Sequence, residues 1–403
     1  MRRSLIIGWL VILCVGGLGG AQLLRPVPAA RAAIDLAHAY RAPGPALNVP
    51  LPTTGQAALY LEGTGWVAET PGQTPVAIAS VTKLMTALLV VEAHPLEPGQ
   101  TGPALTVSGE DQSVYQAEAA AGDSVVPVRV GESLTELQLL QGLLLPSGDN
   151  FARILAQWVS GSEGSFVAAM NRKAKALGMT HTVYADASGL NPGSISTASD
   201  LTKLAVEIMN QPVLAQVVAL SKADLPVAGV VHNYDFVLGQ QGVVGIKTGW
   251  TEEAGGCFVF AARKTVDGIS AELLGAVLAQ PGNAYSGIVA AEQDSLNLLA
   301  ATWPRLELVT PIKEGQVVGS VHTRWGAHAS LSALGPVHFL GWPGLVVALS
   351  ASSGPIHGPV VSDREVGLVG AAVPGGPSRS DPVVADGPVP GPSWEWRLLD
   401  THF

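Results

Sequence analysis

Ser80 and Lys83 stand three residues apart at the head of a run (Leu84, Met85, Ala87, Leu88, Leu89, Val90, Val91) that is apolar nearly all round. That pattern predicts a helix over 80–93, buried at the centre of a domain. At this spacing the two side chains share one helical face, so the ammonium reaches the hydroxyl. A lysine desolvated there is expected to have a lowered pKa, and its neutral amine can act as a base. The helix N-terminus favours negative charge developing near Ser80. The pair is a candidate nucleophile and general base. Alone the spacing is common, since a capping serine with a solvated lysine also produces it. Two more elements follow: Ser147-Gly148-Asp149-Asn150 in a loop between helices, and Lys247-Thr248-Gly249 at the end of an apolar strand, before a turn. Each has a plain structural reading, as a helix cap or as hairpin residues. The three together, in this order and behind an export signal, are far more specific.

The elements that must hold these residues can be read coarsely. Ala57–Leu61 and Trp66–Glu69 are expected as paired strands around a Gly63–Gly65 turn. Ser133-Leu134-Thr135-Glu136 reads as a capping box opening a helix with Leu137, Leu140, Leu143 and Leu144 on one face. Helices are also expected over 150–159, 165–177 and 199–210. Gly242–Lys247 and Cys257–Arg263 read as a hairpin. Strands on either side of a helical middle imply an α+β domain spanning 56–303. Short Val- and Leu-rich runs punctuated by Gly and Pro imply a small all-β domain over 304–373. Residues 374–403 read as a Pro/Gly-rich mobile tail. Residues 33–55, rich in Pro, Ala and Gly, read as a linker, with room for a short helix at 32–40.

At the N-terminus, Arg2 and Arg3 precede the uncharged stretch Leu5–Ala21. Residues 1–32 are therefore expected to be a signal peptide or a retained membrane anchor, which places the protein outside the cytoplasmic membrane. The 403 residues carry 22 Lys and Arg against 32 Asp and Glu, a net charge of −10. An acidic chain is a poor partner for nucleic acid. Two cysteines exclude a disulfide framework and thiolate metal clusters. The nine histidines show no H-E-x-x-H spacing, and no phosphate-binding G-x-x-x-x-G-K-[ST] loop is present. No cofactor or metal is expected.

With all three elements in place, the chain resembles the serine D-alanyl-D-alanine carboxypeptidases, the low-molecular-mass penicillin-binding proteins. The likeness rests on Ala79–Ala87, Leu143–Gly148, Met170-Asn171, Leu177-Gly178-Met179, Asp186-Ala187-Ser188-Gly189-Leu190, Ser196-Thr197-Ala198, Gly245–Thr251 and Ala254-Gly255-Gly256. It covers roughly 56–300. The resemblance implies a penicillin-binding/β-lactamase-like transpeptidase domain, an antiparallel sheet with helices, followed by the small β domain. It also implies removal of the terminal D-alanine from peptidoglycan stem peptides through an acyl-enzyme, with β-lactams as covalent inhibitors. Ser80 would be the nucleophile, Lys83 the base and Ser147 the proton donor to the leaving amine. Lys247, Thr248, Gly249 and Trp250 would bind substrate, Lys247 and Thr248 through its carboxylate. The Ser80 and Trp250 backbone N–H groups would hold the oxyanion.

One position departs from the family pattern, which has Asn two residues after the second serine. Here that place is Asp149, and Asn150 follows. A carboxylate cannot donate to a substrate carbonyl. Either Asn150 takes the substrate-binding role, or Asp149 does so partly protonated, or activity is reduced. Two other readings stay open. A serine β-lactamase shares the motifs, although Ala187 stands where its deacylating Glu belongs, and a penicillin- or wall-binding module could have lost turnover through Asp149.

Overall fold

A computed structural model describes residues 2–400; Met1 and the last three residues of the expected tail lie outside it. The described chain divides into two units, Leu47–Glu307 and a second made of residues 2–46 with 308–400.

The larger unit is a five-stranded antiparallel sheet with helices. Its strands are β1 (Gln56–Leu61), β2 (Gly65–Glu69), β3 (Val243–Thr251), β4 (Gly255–Val266) and β5 (Ile269–Gln280), in the order β3-β4-β5-β1-β2. Its core is built on helix α1 (Lys83–Ala93), whose Leu84, Met85, Ala87, Leu88 and Val90 are all fully buried, as its unbroken apolar run requires. Around it lie α2 (Glu136–Leu144), α3 (Asp149–Ser160) and α4 (Ala198–Met209). Their Leu140, Phe151, Leu155 and Leu204 join the same core cluster. Helix α5 (Ala284–Thr302) lies against β4, where Gly256 and Gly287 meet backbone to backbone; a Cβ on Gly256 would come within 1.9 Å of the Gly287 carbonyl oxygen.

Three local expectations change. Residues 79–82 form a 3₁₀ turn, and the α-helix begins only at Lys83. The α2 capping box is Thr135 with Gln138, because Ser133–Thr135 is drawn into a short strand against Ala104–Thr106. Lys247-Thr248-Gly249 lies inside β3, not at its end, paired with Val259, Phe258 and Cys257.

The smaller unit holds a seven-stranded antiparallel sheet and a separate pair of strands, Glu307–Ile312 with Val337–Gly341. The order of the sheet is 31–34, 317–322, 328–333, 378–385, 365–372, 346–353 and 39–41. The end of the expected signal or anchor segment (1–32) and the stretch expected as a linker (33–55) therefore supply both edge strands, Arg31–Ile34 against Val317–His322 and Ala39–Arg41 against Val346–Ser353. The expected tail contributes an interior strand, Ser378–Ala385. Pro382 is tolerated because the ladder with 328–333 covers only residues 383–385. Arg2–Leu23 is a helix; its segment Ile6–Leu23 carries no charged side chain and is long and apolar enough to cross a bilayer.

Candidate active site

The 3₁₀ turn at 79–82 eclipses residues i and i+3, which sets Lys83 directly beside Ser80. Lys83 Nζ donates to Ser80 Oγ at 2.8 Å, to Asp149 Oδ1 at 2.6 Å and to the Ser188 carbonyl at 2.9 Å. Both members of the Lys83–Asp149 ion pair are buried, with side chains 0% and 1% exposed. The turn is held in an uncommon conformation, since Ala79 has φ 47°. Its carbonyl is packed on Gly189, where φ is +91° and a Cβ would lie 1.8 Å from the Ala79 oxygen. The loop carrying Gly189 is folded by Asp186, whose carboxylate accepts the N–H groups of Ser188, Gly189 and Leu190. That fold turns the Ser188 carbonyl toward Lys83, and Thr86 Oγ1 anchors the loop by donating to the Ala187 carbonyl at 2.6 Å.

Ser80, Ser147, Asp149, Lys247, Thr248, Gly249 and Trp250 all line one cleft of about 360 Å³. Ser147 also has a positive φ, 66°, and its buried hydroxyl has no hydrogen-bond partner among the described residues. The conformation turns a hydroxyl toward the cleft instead of spending it as a cap. Strand β3 runs along the other side, close enough that a Cβ on Gly249 would lie 3.0 Å from the Ser80 nitrogen. Lys247 Nζ donates to the Thr248 carbonyl at 2.9 Å. Burial, and then the positive charge of Lys83, press Lys247 down to about 7, with Asp149 and Asp235 opposing. Trp250 Nε1 donates to the Gly282 carbonyl at 3.0 Å, which fixes the indole beside the cleft.

Asn150, a candidate for substrate binding, is turned away. Its Oδ1 accepts the Val126 N–H at 3.0 Å and its Nδ2 donates to the Val126 carbonyl at 2.9 Å. With both ends of a buried amide engaged by backbone, it is a structural brace, and Asp149 alone occupies the disputed place. Sequence reasoning missed Asp123, Ser124, Gly122, Tyr234 and Glu252, which also line the cleft. They sit in connecting segments without periodicity, whereas Gly189, Leu190 and Thr251, which also line the cleft, fall in the sequence motifs. Among the described residues, no three His, Cys, Asp or Glu side chains converge as metal ligands would.

A family model for D-alanyl-D-alanine carboxypeptidase matches residues 57–277, more than half of the chain and all three elements of the cleft. The chain belongs to this family. D-alanyl-D-alanine carboxypeptidase DacF of Bacillus subtilis is 32% identical over 192 residues, 46% of this chain and 48% of its own length. The chain thus spans about half the length of that relative. DacA of Escherichia coli, another D-alanyl-D-alanine carboxypeptidase, is 26% identical over 332 residues, 80% of each chain. Among solved structures, a DD-transpeptidase from Streptomyces superposes with a TM-score of 0.54 at 28% identity, covering 63% of this chain and 98% of that one. Penicillin binding protein 5 from Haemophilus influenzae shares the fold over 86% of this chain, with a TM-score of 0.59 and 19% identity.

Proposed function

We propose that this family member is a serine-type D-Ala-D-Ala carboxypeptidase that trims peptidoglycan stem peptides and is acylated by β-lactams. The observation that carries the reading is the 2.8 Å contact between Ser80 Oγ and the Lys83 ammonium nitrogen, in a cleft also lined by Ser147, Lys247 and Thr248. Ser80 Oγ attacks the carbonyl between the two D-alanines while Lys83, as the amine, takes its proton. Ser147, with an unengaged hydroxyl, passes a proton to the departing D-alanine nitrogen. Lys247 in its cationic form and the Thr248 hydroxyl hold the terminal carboxylate. Backbone N–H groups of Ser80 and Trp250 hold the oxyanion. Water then releases the shortened peptide.

The apolar N-terminal helix supports export and attachment to the outer face of the cytoplasmic membrane, either as a retained anchor or as a cleaved signal that leaves the protein in the wall. In this reading the Leu47–Glu307 unit carries the chemistry. Incubation with diacetyl-Lys-D-Ala-D-Ala tests the activity. The peptidase releases free D-alanine. A protein that is labelled by fluorescent penicillin and releases none is a binding module, and one that turns penicillin over rapidly is a β-lactamase.

A further inference from the structure

Lys83 is hydrogen-bonded in a way that leaves its base role unexplained. As an ammonium it has three protons and no lone pair, and all three protons are engaged, by Ser80 Oγ, Asp149 Oδ1 and the Ser188 carbonyl. To deprotonate Ser80 it must first give one proton away. A peptide carbonyl and a neutral hydroxyl are poor acceptors for a full proton at neutral pH. Asp149 Oδ1, at 2.6 Å, is the one contact that can take it.

We propose that Asp149 is a proton partner of Lys83, so that Ser80, Lys83 and Asp149 form a relay in which the lysine becomes an amine without losing a proton to solvent. The inference deepens the proposed function and rests on Ser80 as nucleophile. In the first step the Nζ–H bond breaks and an Oδ1–H bond forms, converting the buried ion pair into a neutral amine and acid. Rotation about Cε–Nζ turns the new lone pair to Ser80. The Ser80 proton then moves to Nζ as Oγ bonds to the substrate carbonyl carbon, whose π electrons move onto oxygen. When the C–N bond breaks, the leaving nitrogen takes its proton from Lys83 through Ser147. Asp149 returns its proton to Lys83 when the cycle ends, so no proton is gained or lost overall.

The surroundings make the neutral pair accessible. Burying two charges is costly, and an uncharged pair avoids that cost. Burial pushes the Asp149 carboxyl up, and the negative charge of Asp123 adds to this; Lys83, by charge and hydrogen bond, and Lys247 pull the other way. Asp149 is also the first residue of α3, where the helix N-terminus favours its ionised form. Glu118, paired with Arg153, is a further charged neighbour, and Asp186 lies in the loop whose Ser188 carbonyl meets Lys83. Opposing influences of this kind keep the proton movable between the two partners.

The test is the pH dependence of acylation by a fluorescent penicillin, in the full chain and in Asp149→Asn. A proton held within the pair leaves the acid branch flat, so the rate constant of the native protein should change less than about twofold between pH 6 and 7. In Asp149→Asn the proton must go to solvent, and the rate should fall about fivefold from pH 7 to pH 6, where the returning Lys247 charge offsets part of the loss, and about tenfold per unit below that. Loss of the Lys247 charge sets the alkaline branch in both. Asp149→Glu should keep the flat acid branch at a lower rate, and it serves with the native profile if Asp149→Asn fails to fold. A native acid branch as steep as tenfold per unit, or Asp149→Asn faster than native with an unchanged profile, would overturn the relay. Penicillin labelling of Ser80→Ala would instead defeat the nucleophile assignment on which the relay rests.

Discussion

Adjacent residues with similar side chains have separate jobs here, and the separation is measurable. Asn150 holds Val126 by two hydrogen bonds and Asp149 holds Lys83. Asn150→Ala leaves a buried N–H and C=O unpaired, so the protein should lose about 2–4 kcal/mol of stability. Its folded fraction should still take up penicillin at the native rate; urea melts and labelling kinetics separate the two effects. Lys247 gives a pH prediction. Its folded value of about 7 lies below the ordinary 10.5, so the cation that holds a carboxylate is lost as pH rises through about 7. Hydrolysis of free-acid peptides should therefore decline on the alkaline side, chiefly through KM, while a C-terminally amidated analogue is indifferent. For stability the sign is opposite: between about 7 and 10.5 only the unfolded chain holds this proton, so Lys247 makes stability rise with pH there. The sequence made the three motifs legible because the chemistry demands particular residue types at short spacing. The choice between Asp149 and Asn150 was not legible, since it depends on which of two neighbours starts the turn of α3 facing Lys83.

Elements place the nucleophile by close backbone approach more than by side-chain packing. The Ala79 carbonyl fits only because position 189 has no Cβ. Gly189→Ala combines a φ of +91° with a 1.8 Å clash, and should cost about 2–4 kcal/mol while displacing Ser80 from Lys83. Penicillin acylation should drop at least tenfold in protein that remains folded by circular dichroism; native acylation would show that the loop yields and the turn does not need it. The buried helix and the hairpin of β3 and β4 were readable from apolar runs. The 3₁₀ start of α1 was not, because the same residues satisfy an α-helical pattern, and the packing of Gly189 under Ala79 selects the tighter turn.

At the scale of the whole molecule, long-range pairing accounts for what the sequence hid. Arg31–Ile34 and Ala39–Arg41 are short and flanked by Pro and Gly, and nothing local marks them as strands; their partners begin at Val317 and Val346. This sets where the apolar helix can be removed. A chain beginning at Ala29 keeps the first edge strand, and should stay in solution without detergent and bind penicillin. One beginning at Ala33 loses half of that strand and should show a lower melting temperature. Sedimentation of the Ala29 chain with membranes would count against attachment through the N-terminal helix. The central claim, that Ser80 is the acylated nucleophile of a D-Ala-D-Ala peptidase, is tested most directly by peptide mass spectrometry after a brief exposure to penicillin. A single penicilloyl adduct on Ser80, absent in Ser80→Ala and prevented by excess D-Ala-D-Ala peptide, is the result expected. An adduct on Ser147 or elsewhere, or none in a protein that releases D-alanine, would contradict it.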